Sequence, residues 1–266
     1  MNIIVCVKQI PNPEIPMGKF RVDPAANKVL PPEGIPPVIS PFDEQAVEAA
    51  LRLKEARGGS IKVISMGPAS ARDVVKHALS MGADEGVLLQ DALFENCDSF
   101  GTAYALVKTI QKLGPYDLIL CGRQAADWDQ GQVGSLIAEN LGIPIITFAR
   151  KIEAADSGLK VERVILDGYE VVEARMPAVV TISSEIGQPR LPSGFGIIAA
   201  ARKKVPVWTA GDIGADTSLL GAAAVRTELL KLLIPAREGK CEIIGGETGA
   251  EAAVKLAMRL REAKVV

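Results

Sequence analysis

The stretch from Asp117 to Gly134, DLILCGRQAADWDQGQVG, combines the residue types and spacing that hold a phosphate. Leu118, Ile119 and Leu120 make the short apolar run of a central parallel strand, and Gly122 lets the chain turn at its carboxyl end. Open α/β sheets take their ligands at that end of their strands. The residues beyond are polar apart from Trp128. Gly131 and Gly134 permit close backbone approach where a helix is predicted over Gln132 to Leu141. Backbone N–H groups at a helix start can close on an anion. Each charge-assisted hydrogen bond contributes about 1.5–3 kcal/mol, and the helix dipole adds roughly 0.3–1 kcal/mol. About four or five such donors hold a nucleotide phosphate without a lysine. An ordinary βα loop with polar residues facing water has the same spacing, so the pattern needs support from the rest of the chain.

Other chemistries lack their parts. The chain has 266 residues, 48% hydrophobic and 23% charged, with a formal net charge of -2. That describes a soluble globular protein with one large core or a core plus a smaller lobe. Arg202-Lys203-Lys204 is the one basic block, so nucleic-acid binding has no electrostatic footprint. Cys6, Cys97, Cys121 and Cys241 lie far apart without a CxxC, and His77 is the only histidine, so zinc and iron-sulfur ligands are missing. Cys6 and Cys121 sit in apolar strands and read as small buried hydrophobes. There is no GxSxG, no Walker A and no histidine base beside a nucleophile. The start, Met1-Asn2 running straight into IIVCV, shows no leader pattern, and no stretch approaches a membrane span; the expected compartment is the cytoplasm.

The elements that would position the phosphate stretch alternate strand and helix. Ile3 to Val7 is the first strand, and FRVDPAANKVLP reads as a hairpin excursion. Ser40-Pro41-Phe42-Asp43 starts a helix with a hydroxyl N-cap, proline at the first position and a carboxylate three residues after the cap. Phe42, Ala46, Ala49, Ala50 and Leu53 form its apolar stripe. Ile61 to Met66, a helix over Ala71 to Met81, and Gly86 to Leu89 follow. Asp98-Ser99-Phe100-Gly101-Thr102 opens the next helix, a second candidate for nucleotide contact at the same sheet edge. His77 falls beside a helical stripe and reads as structural. Ile143 to Ala149, Leu159 to Leu166, Tyr169 to Arg175 and Ala178 to Ile182 read as an antiparallel addition with Asp167-Gly168 as a hairpin turn. A loop is predicted at Gly187 to Gly196, a short helix around Ile197 to Lys204, an extended arm over Val205 to Lys240, and an amphipathic helix over Thr248 to Ala263.

These residues resemble the beta subunit of electron transfer flavoproteins over nearly the whole chain. The resemblance is carried by VKQIPN at Val7, SPFDEQAVEAALRLKE at Ser40, GADEGVLL at Gly82, CGRQAADWDQGQVG at Cys121, VERVILDGYEVVEARMPAVVT at Val161 and QPRLPSGFGIIAAARKK at Gln188. It implies an α/β fold of Rossmann-like, adenine nucleotide alpha hydrolase-like type. The sheet would be mostly parallel with antiparallel additions, residues 1–205 forming the nucleotide-binding domain and 206–266 an arm and helix that pack on an alpha subunit. It implies a heterodimer in which the alpha subunit holds most contacts to a redox-active FAD while the beta subunit holds a second nucleotide. That nucleotide is AMP in plain electron carriers and a second FAD, reduced by NADH, in electron-bifurcating members. Electrons would pass between a flavin dehydrogenase, such as an acyl-CoA dehydrogenase, and an acceptor. The competing class, an ATP-hydrolysing or AMP-sensing α/β protein, would place a Ser-Gly-rich loop after the first strand, where this chain has KQIPNP.

Carried over by position, the resemblance puts the phosphate on Asp127, Asp129, Gln130, Gly131, Gln132 and Val133, next to Cys121, Gly122, Gln124 and Gly134. The adenosine end would meet Val7, Lys8, Ser65, Met66 and the turn Asp98, Gly101 and Thr102, with Ser40 to Asp43 closing the site. Strand-end and capping roles stand beside these ligand roles, notably at Ser40 and Asp98. Members that hold AMP tend to have asparagine where this chain has Gly131, and the pattern around Asp127, Asp129, Gly131, Gln132, Val133 and Gly134 is closer to bifurcating members. Trp128 departs from those members, which often have glycine there. PNPEIPMGKF is longer than the family's usual segment, so no residue is assigned against the alpha-bound flavin. The dehydrogenase-docking segment normally carries a leucine where Gly194 stands here, with Leu191 and Phe195 as apolar neighbours.

Overall fold

A computed structural model describes residues 1–155, 158–235, 239 and 241–266. The elements run β1 Asn2–Cys6, β2 Gln9–Ile10, β3 Arg21–Asp23, β4 Lys28–Leu30, β5 Val38–Ile39, α1 Pro41–Arg57, β6 Ser60–Met66, α2 Arg72–Met81, β7 Glu85–Leu89, α3 Ser99–Leu113, β8 Leu118–Gly122 and α4 Val133–Leu141. They continue β9 Ile145–Ala155, β10 Gly158–Ile165, β11 Gly168–Ala174, β12 Ala178–Ile182, α5 Gly194–Arg202, β13 Val207–Trp208 and α6 Gly249–Glu262.

Nine strands form one sheet in the order β11-β10-β9-β12-β8-β1-β6-β7-β13. Every pairing from β9 across to β13 is parallel, and β10 pairs antiparallel with both β9 and β11. This is the expected α/β architecture, a mostly parallel sheet with antiparallel strands at one side. Alternation along β1 sends Ile3 and Val5 to a face covered by α1 and α2 and Ile4 and Cys6 to a face covered by α3 and α4.

Ala178 to Ile182 departs from the antiparallel addition predicted for it. β12 inserts parallel between β8 and β9, and all five of its residues are buried. A continuous apolar run covered on both faces belongs inside a sheet, whereas β11 is mostly exposed and β10 opens toward Ile165, as strands at the side of a sheet do. The predicted loop at Gly187 to Gly196 is also shorter. α5 begins at Gly194 because Ser193 Oγ accepts from Gly196 N at 3.0 Å, an N-cap that the sequence pattern left inside the loop. The arm expected from Val205 starts as part of the sheet: β13 pairs with β7, and Ala210, Ile213 and Leu220 are buried against the α3 face. Residues 236–238 and 240 of that arm lie outside the described residues. No helix among the described residues is long and apolar enough to cross a membrane.

Candidate functional site

The direction of chain winding reverses between β1 and β8. From β1 the chain moves through α1 to β6 and β7, then returns through α3 to β8 on the other side of β1. The carboxyl ends of these two neighbours diverge into loops on opposite sides, leaving the crevice in which open α/β sheets bind ligands. Val7 and Lys8 leave β1 here, Ser65 and Met66 end β6 alongside, with Val7 N donating to Ile64 O at 2.9 Å, and Gly122 ends β8.

Asp43, in the first turn of α1, ties the two strand ends together. Its Oδ2 accepts from Lys8 N at 2.8 Å and its Oδ1 from Gly122 N at 3.0 Å. Its predicted role as the acid of a capping box is therefore replaced by a long-range bridge. Burial pushes its carboxyl up to about 7, against the downward pull of the Lys8 and Gly122 N–H groups and the Lys8 charge. Gly122 has to be glycine for this approach, since a Cβ there would lie 2.5 Å from Asp43 Oδ1 and 2.8 Å from the backbone of Phe42. Ser40 also departs from its capping role. It occupies the N-cap position with Pro41 behind it, but its side chain makes no cap bond, and Asp43 N and Glu44 N bond to the Ser40 carbonyl instead.

Four buried polar atoms around this crevice have no partner among the described residues: Ser40 Oγ, Ser65 Oγ, Gln45 Oε1 and Arg123 Nε. They lie in the first turns of α1, at the end of β6 and directly after β8. Leaving such a group unpaired costs about 1–3 kcal/mol, so a polar ligand that supplies partners suits the site. Arg123, which sequence reasoning missed, sets its guanidinium 4.7 Å from the Phe42 ring centroid. The signal was a cation one residue beyond a buried strand.

The loop after β8 carries two left-handed residues, Asp129 at φ 51° and Gly131 at φ 63°. Alternation of hand of this kind turns successive N–H groups toward one side, a concavity for anions. Gln124 Nε2 donates to Asp129 Oδ1 at 2.7 Å and fixes the loop. α4 begins at Val133 with Gln132 as N-cap. Its first intrahelical bond is Leu136 N to Gln132 O at 3.0 Å, so the N–H groups of Gln132, Val133, Gly134 and Ser135 precede the ladder. Gly134 packs against β12, where a Cβ would meet Thr181 Cγ2 at 2.7 Å. Lys8 Nζ crosses the crevice to Asp127 Oδ2 at 2.7 Å.

The turn at α3 reaches the same loop. Ser99 Oγ donates to Gln130 Oε1 at 2.6 Å, a contact that sequence reasoning did not assign. Asp98 caps α3, its Oδ1 accepting from Phe100 N at 3.0 Å and Gly101 N at 3.1 Å. Its Oδ2 holds the arm through Arg226 N at 2.6 Å. Against the upward push of burial, these N–H groups keep the Asp98 carboxyl below its usual range. Gly101 packs on Cys97, and Thr102 N closes the first turn on Asp98 O at 3.0 Å.

Cys121 is set apart by its side chain, which sits in the core beside its register partner Cys6. The neighbouring Cys6 thiol and burial both push the Cys121 thiol well up. Leu191, Gly194 and Phe195 lie elsewhere, where the chain enters α5, which packs on α2. Leu191 and Phe195 are almost fully exposed, at 89% and 88%.

Residues 29–213 match the model of the electron transfer flavoprotein domain. The chain is 42% identical to the electron transfer flavoprotein subunit beta of Thermoanaerobacterium thermosaccharolyticum over the whole of both chains. It is 36% identical, again over the whole of both, to the caffeyl-CoA reductase-Etf complex subunit CarD of Acetobacterium woodii. To the FixA protein of Azorhizobium caulinodans it is 35% identical, over 92% of this chain and 88% of the relative. Motifs, sheet order and crevice agree with these matches, and the chain belongs to the beta-subunit family of the electron transfer flavoproteins.

Proposed function

We propose that this beta subunit pairs with an alpha subunit, that the pair carries electrons from a flavin dehydrogenase to an acceptor, and that the β1–β8 crevice holds a second nucleotide, FAD rather than AMP. The observation that carries the reading is the crevice itself: a phosphate loop with left-handed Asp129 and Gly131, the free N–H groups at the start of α4, and unpartnered Ser40, Ser65 and Arg123 atoms around one strand-end opening.

The residues have separable tasks. The loop from Gln130 to Gly134 takes phosphate oxygens through backbone N–H groups. Arg123 supplies positive charge, and Ser40 and Ser65 hydroxyls meet sugar or base. Asp43 holds the β1 and β8 ends at fixed separation without touching the reacting group. When bound, a flavin supplies hydride and single-electron chemistry, so the chain needs to orient it and exclude water. Gly131 favours the diphosphate of FAD. A Cβ there already meets Arg123 O at 3.2 Å on a left-handed backbone, and a larger side chain would take space that a second phosphate needs.

The alpha partner suits the carboxyl-terminal end. α6 has no buried residue and exposes Val254, Leu256 and Met258 on a capped helix, with Thr248 Oγ1 accepting from Glu251 N at 3.2 Å. Leu191 and Phe195 suit insertion into a dehydrogenase pocket. Expressed with an alpha subunit the chain is expected to purify as a yellow, equimolar heterodimer; expressed alone it should carry little flavin absorbance and aggregate. A stable, fully flavinylated single chain would overturn the proposal.

A further inference from the structure

The segment that presents Leu191 is clamped to α1 by a network of arginines and glutamates. Glu48, Arg52 and Glu55 share one face of α1 at helical spacing. Glu48 is 4% exposed, yet it receives three bonds from Arg190: from N at 3.1 Å, from Nε at 2.7 Å and from Nη2 at 3.2 Å. The far side of the Arg190 guanidinium bonds Glu55, with Nη2 to Oε2 at 3.2 Å. Arg52 completes the frame, donating Nε to Glu48 Oε1 at 2.8 Å, Nη1 to Ile186 O at 3.0 Å and Nη2 to Gln188 O at 3.2 Å. Backbone and side chain of residues 186–190 are thus fixed to a core helix immediately before two almost fully exposed apolar side chains. Without such a frame, ordering that segment on a partner would cost conformational freedom at the moment of binding.

We infer that Arg190 and Glu48 are positioning residues that hold Leu191 and Phe195 as a preordered apolar anchor for a flavin dehydrogenase surface. The inference rests on the docking role given above to Leu191 and Phe195. The planar guanidinium reaches Glu48 and Glu55 through separate nitrogens, whereas an ammonium gathers its donors at one point, so Arg190→Lys keeps the charge and loses the fixed geometry of the frame. Glu48→Gln keeps the volume and removes the charge.

The test uses the heterodimer with a reduced acyl-CoA dehydrogenase as electron donor, measuring KM for the dehydrogenase, kcat, and amide hydrogen exchange of residues 186–193. Arg190→Lys and Glu48→Gln are each expected to raise KM about 5- to 10-fold with kcat unchanged, and to speed exchange in the segment. Leu191→Ala and Phe195→Ala should raise KM without changing exchange. If the two alanine variants raise KM and the clamp variants do not, the positioning role is overturned and docking stands. A raised KM with unchanged exchange in Arg190→Lys and Glu48→Gln also overturns it, because those side chains would then touch the partner directly. If none of the four variants changes KM, the docking role falls, and the positioning role with it.

Discussion

Replacing Asp43 by asparagine should flatten the acid side of the protein's stability profile. Asp43 is an acid whose carboxyl moves from 3.8 to about 7 on folding, chiefly through burial. The folded chain therefore holds a proton that the unfolded chain has released across that interval. The contribution to stability is complete below pH 3.8 and is lost as pH rises through about 7. Moving from 3.8 to about 7 corresponds to about 4 kcal/mol at the limit, and to about 3 kcal/mol between pH 5 and 8. Asparagine does not titrate. It offers one oxygen where Lys8 N and Gly122 N need two acceptors, a loss of about 1–3 kcal/mol that does not change with pH. Urea unfolding of the wild-type and Asp43→Asn heterodimers from pH 5 to 8 separates the two effects. The difference in stability should move in favour of the variant by up to about 3 kcal/mol as pH rises. Parallel profiles would refute the assignment of the proton to Asp43.

Gly131→Asn should lose the beta-bound nucleotide while the alpha-bound FAD remains, measured as flavin per heterodimer; two retained flavins would show that position 131 does not set the choice. Asparagine is among the few side chains that adopt the φ of 63° there, but its Cβ would press on Arg123 O at 3.2 Å, so the fold should survive with a modest fall in thermal melting, to which loss of the nucleotide adds. Gly134→Ala drives a Cβ to 2.7 Å from Thr181 and should destabilise the protein by about 1–3 kcal/mol in chemical unfolding, with an unchanged midpoint counting against the packing account. Leu191→Ala and Phe195→Ala should slow electron transfer from a dehydrogenase in stopped-flow measurements at unchanged flavin content. Parental rates in both would remove the docking role.

The parts of the fold written in local pattern were legible in the sequence. The apolar run ending at Gly122, the glycine-bearing loop before α4, and the Asp98 cap of α3 depend on residues within a few positions of each other, and the chain folds there as the pattern implies. Most of what was misread depends on partners far along the chain. Asp43 has the spacing of a capping box, but its partners Lys8 and Gly122 are 35 and 79 positions away. β12 sits near a hairpin in sequence and was grouped with it, yet its register partners are on β8 and β9. The mostly apolar run AVVTI at Ala178 to Ile182 was the available signal, since a half-exposed antiparallel strand alternates apolar and polar residues. Ser193 as a helix cap was local and was missed because Gly194 and Gly196 read as loop residues; Gly196 is required because a Cβ would lie 2.3 Å from Ser80 O. The Arg190–Glu48 contact spans 142 positions and has no local signature.

Whether the β1–β8 crevice holds a nucleotide, and whether Gly131 admits a diphosphate, is decided by acid extraction of the purified heterodimer and chromatographic quantification of its nucleotides. Two FAD per heterodimer and no AMP are expected. One FAD with one AMP would contradict the choice of ligand, and one FAD with no second nucleotide would contradict the site itself.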